Sequence, residues 1–382
     1  MFHSSWYTLL VGCIVSVFVA VQFLKTKTFA WLLLYGIIVF INHMAGDEYF
    51  KDISTTLNEF AVLFFLTSVA YYVFQSGDRK VMNGLLVSLS AVIVIAAIGS
   101  LVVNALYPGA VREAGSWQDS EHSMNYLLPT YYKMGMSNYL LPHGLPIIIP
   151  PLVMWLKLSS KQRWIRLVPL TMLAFSFILI FLSGSSTALI LSAGALVVSM
   201  IIKINGKTNY SWIWVITILS LIFMFFPELF GSFANLLGDS ETASTYVYHL
   251  KDIEDYATTG SASNTGARME LYGQSLGGFL SSPIWGINTK DFGGHSTLLD
   301  RLAALGLLGF IPLIALFRSS TKYIKYRLSP KSTEFYMVSC VIAFLMLLIK
   351  GIWQIDVLVM FFVMAPLLLM RNEDTLYNRS VS

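Results

Sequence analysis

The sequence predicts an all-α integral membrane protein of about eleven transmembrane helices, with a large external loop that carries short amphipathic helices. Three observations predict it. Hydrophobic residues make up 56% of the chain and charged residues only 12%, against about 25% charged in a soluble domain. Apolar runs of roughly 17 to 25 residues, the length that crosses ~30 Å of hydrocarbon as a helix, recur from one end to the other. Lysine and arginine gather in alternate connections, as they do on the cytoplasmic side of a membrane protein.

The runs justify themselves in order. The first, 5–24, does not resemble a cleavable leader, because Met1 to Ser5 carries no lysine or arginine and Lys25 and Lys27 follow the apolar stretch. The second, 28–44, is followed by Asp47, Glu48 and Asp52, which suit a solvated acidic turn better than a catalytic carboxylate pair. Spans at 57–75 and 82–106 are joined through Arg79 and Lys80. Segment 107–139 then interrupts the pattern with Arg112, Trp117, His122, Tyr126, Tyr131, Tyr132 and Lys133, and leads through Pro142-His143-Gly144 and the helix breaker Pro150-Pro151 into a span at 140–157. Lys157, Lys161, Arg163 and Arg166 separate it from 164–182; a tight Ser183-Gly-Ser-Ser-Thr187 turn leads to 186–202, and Lys203 and Lys207 to 211–226. After the long segment 227–295 come 296–317, 333–350 and 352–370, with Arg318, Lys322, Lys325, Arg327 and Lys331 between the first two and Arg371 and Arg379 after the last. Lys350 and Asp356 mark the outer ends of those last two spans.

With the basic connections in the cytoplasm, the N-terminus lies outside, the C-terminus inside, and 107–139 and 227–295 form external loops of a single polytopic domain, 1–382. No internal repeat or low-complexity tract divides the chain. Within 227–295, Tyr246, Leu250, Ile253 and Ala257 recur at helical spacing opposite Lys251, Asp252, Glu254 and Asp255. A second run, Met269, Tyr272, Leu276, Phe279 and Leu280, is entered through Asn264-Thr265-Gly266, weakened by Gly277-Gly278 and stopped at Pro283. Both read as amphipathic helices lying on the membrane surface.

Composition also excludes function classes. The net charge of +4 is small and dispersed, without a basic stripe interleaved with aromatics, so nucleic acid is not the partner. The two cysteines, Cys13 and Cys340, lie in apolar runs and build neither a disulfide framework nor a metal cluster. Nucleophile-elbow, Walker and HExxH motifs are missing from the sequence, so any chemistry uses an already activated donor and no cofactor.

Residues able to carry that chemistry cluster around the second external loop. Arg268 opens the second amphipathic run, where helix amides and a guanidinium suit a diphosphate; snorkelling to lipid headgroups is the equal alternative. His295, preceded by Gly293-Gly294 and followed by Ser296, has a side chain whose titration suits proton transfer or phosphate donation, though an interfacial histidine bonded to backbone accounts for it as well. Asp300 and Arg301 enter the next span, where ionisable groups face the protein interior or a wet cavity; for Arg301 an ion pair with a neighbouring helix competes with a substrate contact. The hydroxyls of Ser185 and Ser186 suit a sugar or phosphate, and equally a close helix hairpin.

The ordered set, a Ser-Gly-Ser turn between spans, an external loop with Thr265-Gly-Ala-Arg268, then Pro283-Ile-Trp-Gly286, His295-Ser-Thr-Leu-Leu and Gly306-Leu-Leu-Gly309, resembles the O-antigen polymerase and O-antigen ligase superfamily over about 183–317. The resemblance implies a GT-C-like, metal-independent, inverting glycosyltransferase of the bacterial cytoplasmic membrane. It implies an undecaprenyl-diphosphate-linked oligosaccharide as donor, surrounding membrane lipid, and a chain-length regulator protein as a possible partner. By that likeness Arg268 holds the departing diphosphate and His295 deprotonates or orients the acceptor, with Ser296 and Asp300 beside them. The family tends to carry an arginine in the Ser-Gly-Ser turn where this chain has Ser186, which leaves Arg112 or Arg301 as substitute contacts. Polymerase is favoured over ligase by the aromatics of 107–139, able to stack on a growing glycan; the rival from another class is a flippase for the same lipid-linked glycan, which would show repeat symmetry and mid-membrane charges.

Overall fold

The computed structural model describes residues 21–44, 49–106, 141–159, 163–204, 241–259, 263–287, 294–350 and 355–371, together with residues 232 and 235. They form helices α1 (Lys27–Met44), α2 (Tyr49–Ser76), α3 (Arg79–Leu106), α4 (Leu141–Leu158), α5 (Arg163–Leu182), α6 (Ser186–Ile201), α7 (Glu241–Thr259), α8 (Ser263–Ser281), α9 (Thr297–Tyr326), α10 (Pro330–Ile349) and α11, which opens at Ile355–Val359 and continues through a π-helical turn, Met360–Met364. Among the described residues there is no strand. The all-α membrane class therefore holds.

Among the described residues five helical stretches are long and apolar enough to cross a membrane: Glu59–Ser76 within α2, Arg79–Leu106, Leu141–Leu158, Thr297–Tyr326 and Pro330–Ile349. Lys27–Asn42, Arg166–Leu182 and Ser186–Ile201 are shorter apolar helices. Most of the expected span 5–24 and all of 211–226 lie outside the described residues, as does the external segment 107–139 with Arg112. Both expected amphipathic helices are present as α7 and α8, and α8 runs through Gly277-Gly278 to end just ahead of Pro283.

The described residues cluster into two compact units, one drawn from Met1–Asn83, Arg268–Arg327 and Leu347–Val363, the other from Gly84–Ala267, Leu328–Met346 and Met364–Ser382. In the first unit α1 packs chiefly on α9 and on α2. An aromatic cluster joins them at one end, with Phe23 against Phe29, Phe64 and Tyr71, and Tyr71 stacked on Tyr323 at 4.8 Å between ring centres.

The same unit contains a broken span. Gly306 sits inside α9 at φ 58°, ψ −166°, a conformation reserved in practice for glycine. The break interrupts the helical ladder, and a membrane offers no water to satisfy the groups it frees. The turn after α8 supplies partners instead. Pro283 and Ile284 carbonyls accept from the Leu307 and Leu308 amides at 2.8 and 3.1 Å, and the Ile287 amide donates to the Ala303 carbonyl at 3.0 Å. Asn42 of α1 donates through Nδ2 to the carbonyls of Ala304 and Trp285. Gly286, at φ 79°, completes the fit: a Cβ there would lie 2.2 Å from the Ala304 oxygen, and one on Gly306 would lie 2.4 Å from the Ile284 oxygen. The Pro283–Gly286 and Gly306–Gly309 sequence motifs are thus two halves of one backbone joint.

In the second unit α4, α5 and α6 pack on one another. The expected break at Pro150-Pro151 is only a change of helix type. Leu145–Ile148 forms a 3₁₀ turn and the prolines occupy the first positions of the α-helix that follows, where no amide is required of them. Lys157 closes the far end of α6 by donating to the carbonyls of Ser199, Met200 and Ile202 at 2.7–2.9 Å, the groups a helix C-terminus leaves unpaired. Arg371 lies 4.6 Å over the ring of Trp155. These contacts engage two of the basic residues assigned to the cytoplasmic side.

Candidate functional site

The first unit gathers Arg268, Tyr272 and Ser275 of α8, His295 of the loop ahead of α9, Asp300 of α9 and Lys350 into one neighbourhood. Each is placed by local chain logic. Helix α8 begins at Ser263, a full turn before Arg268, and its first turn is capped from α7: Asp252 Oδ2 accepts from the amide of Thr265 at 2.8 Å and from its hydroxyl at 2.7 Å. Of the helix-end amides expected beside Arg268, that of Thr265 is already held by a carboxylate, and Arg268 lies further along the helix. Residues 269, 272, 276 and 280 follow from the amphipathic spacing, and Ser275 is buried on the inner face.

Helix α9 is started by Ser296, fully buried, whose hydroxyl accepts from the Leu299 amide at 3.2 Å. The hydroxyl expected to meet substrate is therefore engaged as an N-cap. Asp300 reaches back in the manner of a capping box: its Oδ2 accepts from the Ser296 amide at 3.3 Å, its carboxylate from the Gly294 amide, and its Oδ1 from the Ser275 hydroxyl at 2.6 Å. Asp300 thereby ties the His295 loop to both α9 and α8.

The electrostatics of the pocket are lopsided. Among the described residues neither Arg268 nor Lys350 makes an ion pair, and His295 makes no hydrogen bond. Burial, then the charges of Arg268 and Lys350, hold His295 below the usual histidine value, against an opposing pull from Asp300. Burial pushes the Tyr272 phenol above its ordinary value, with Arg268 opposing and Asp300 adding to the rise. The ring of His295 is half-buried and neutral at pH 7.

Arg301, one residue beyond Asp300, turns away into the helix layer. It pairs with Glu59 of α2, whose other oxygen accepts from the buried Tyr35 hydroxyl at 2.6 Å. The ion-pair alternative describes Arg301 in this structure. Sequence reasoning singled out neither Glu59 nor Tyr35; a lone glutamate in an apolar run near a lone arginine in another was the available signal.

Ser185 and Ser186 belong to the second unit. Ser185 is buried, caps α6 by accepting from the Ala188 amide, and lies 2.9 Å from the Nε2 of the fully buried His143. The Ser186 hydroxyl is buried without a hydrogen-bond partner among the described residues.

These observations define a polytopic helical membrane protein with a cationic cluster where an amphipathic helix, α8, meets the start of a span, α9. Residues 171–314 match the model of a family described as O-antigen ligase. The match takes in Arg268, the 283–287 turn, the His295 loop and the Gly306 break, and supports placing the protein in the O-antigen polymerase and ligase superfamily, a glycosyltransferase-like membrane family. No curated protein and no solved structure matches the chain.

Proposed function

We propose that the protein is a polysaccharide polymerase that takes glycan from an undecaprenyl-diphosphate-linked donor and passes it to a carrier-linked glycan acceptor on the outer face of the cytoplasmic membrane. The observation that carries the reading is the juxtaposition of Arg268, a guanidinium with no ion pair among the described residues, with a histidine kept neutral, His295. In the reaction an acceptor hydroxyl oxygen attacks the anomeric carbon and the bond from that carbon to the diphosphate oxygen breaks. The hydroxyl proton passes to the free nitrogen of His295 and the leaving diphosphate carries away the bonding electrons. A fixed cation at that oxygen acts where charge develops, which lowers the barrier directly. A neutral imidazole is the form able to receive the proton. The ligase reading, with a lipid A core as acceptor, uses the same donor chemistry and is favoured by the description of the matching family.

Arg268→Ala is expected to abolish chain extension at normal protein level, and Arg268→Lys to restore it in part, because an ammonium lacks the paired geometry of the guanidinium fork. Glycan length analysis in a deletion strain reads out both the variants and the class. Single-repeat products mark a lost polymerase, long carrier-linked chains a lost ligase, and no external glycan a lost flippase. Normal chain lengths from a well-expressed Arg268→Ala protein sink the reading.

A further inference from the structure

Lys350 follows the last residue of α10 and lies beyond the stretch that matches the family model. The chain at 349–350 is fixed by three contacts that do not involve the Lys350 side chain. The Ile349 carbonyl accepts from the Tyr272 hydroxyl at 2.7 Å, and the Lys350 carbonyl accepts from both the amide and the hydroxyl of Thr297, at 3.1 and 3.0 Å. Those carbonyls end a helix and need partners. The partners come from α8 and α9, the elements that carry Arg268 and Asp300. The end of α10 is in this way bolted to both sides of the pocket, and the Lys350 ammonium is close enough to Arg268 and His295 to act on each electrostatically.

Two cations, Arg268 and Lys350, beside a neutral imidazole and, among the described residues, one carboxylate, Asp300, make an arrangement that repels itself. Asp300 does not resolve it, since its oxygens are engaged by Ser275, Ser296 and Gly294. Like charges gathered in a partly desolvated place cost stability unless an anion completes the set. The Lys350 carbonyl is held there by two hydrogen bonds from Thr297. We propose that Lys350 is a second cationic contact for the diphosphate of the lipid-linked donor, meeting the phosphate that the Arg268 fork leaves over. This assignment rests on the donor-site reading above. A planar fork grips two oxygens of one phosphate, and a compact ammonium follows the other.

A signature separates Lys350 from its neighbours. Burial, then the charge of Arg268, lowers its titration to about 8. Among the described residues the titratable groups near it are Arg268 and Tyr272 from α8 and His295 from the loop. Tyr272 is raised above the ordinary tyrosine value and His295 lowered below that of histidine, so neither titrates just above pH 8. A diphosphate esterified at both ends has no proton to lose in that range either. An anion bound to Lys350 raises its pKa, so donor affinity is full below pH 8 and falls as pH climbs through 8 to 9.

The test uses the full chain in nanodiscs and farnesyl-diphosphate-linked N-acetylglucosamine as probe, with dissociation constants measured from pH 7 to 9.5. Lys350→Gln is expected to weaken binding about tenfold to a hundredfold at pH 7, the size of a lost charge-assisted contact, and to flatten the alkaline fall. Lys350→Arg is expected to bind well at pH 7 and to stay tight at pH 9, since its charge does not titrate. Wild-type affinity in Lys350→Gln alongside lost binding in Arg268→Ala overturns the role of Lys350 and leaves the donor site standing. Unchanged binding in both overturns the donor site itself. Binding lost equally in Lys350→Gln and Lys350→Arg shows that packing, not charge, is what position 350 supplies, and also overturns the proposal.

Discussion

His295 works against its surroundings: burial first, then the charges of Arg268 and Lys350, disfavour protonating the ring, and Asp300 leans the other way. The sign of the pH dependence follows. A base must be neutral, and a lowered pKa keeps it neutral to more acidic pH, so transfer should persist below pH 6.5 and decline only as the lowered value is reached. Lys350→Gln removes one of the repelling charges and should move that acid limb upward. His295→Ala should leave probe binding in place and cut transfer by about 10² to 10⁴. Rate profiles against pH for purified wild type and the two variants check both statements; a His295→Ala enzyme at wild-type rate takes the ring out of the chemistry. At this scale Arg268, His295 and Asp300 were legible because each sits in a short run with its own helix-start or loop logic. Lys350 and Glu59 were not, because their partners lie at residues 268–297 and at Arg301, far away in the chain. Lys350 looked like a helix end, which it also is.

At the scale of elements, the joint between the 283–287 turn and the break in α9 is the most demanding local structure described. Gly306→Ala adds a backbone penalty of about 1–3 kcal/mol and a clash with backbone that cannot swing aside. Gly286→Ala meets the Ala304 backbone in the same way. Gly273 of α8 is the internal control, since a Cβ there touches nothing and helix propensity gains up to about 1 kcal/mol from alanine. Thermal unfolding in detergent should therefore fall for the first two variants and hold or rise for the third. Equal melting temperatures for Gly306→Ala and Gly273→Ala would contradict the joint. Apolar length and periodicity made the spans and the two surface helices readable in the sequence. The joint was not readable, because an unbroken apolar run, 296–317, conceals a helix whose hydrogen bonds pass to another segment.

For the molecule as a whole, composition and the alternation of basic connections gave the membrane class, and two of those basic residues tend a helix end and an indole ring, Lys157 on α6 and Arg371 over Trp155. Orientation is open to direct measurement. Ser261→Cys, at a residue outside the described set, should react with a membrane-impermeant thiol reagent in intact cells, after outer-membrane permeabilisation where one exists. Labelling that waits for the cytoplasmic membrane to be opened reverses the orientation. The span count remained less readable than the class, since several apolar helices are too short by themselves to be assigned from length alone.

The joint in α9 also sets an order of events during synthesis. Every group that satisfies the break comes from earlier in the chain: Asn42 from α1, then the Pro283–Ile287 turn. When Gly306 leaves the ribosome its partners are already made, and the bent span never has to wait in the bilayer with bare peptide groups. The pocket matures later. Residues 349 and 350 arrive only after α9 and α10 have been translated, so a nascent chain completes its scaffold while the cationic cluster is still missing a member. The repulsion between Arg268 and Lys350 is thus met by a framework already in place.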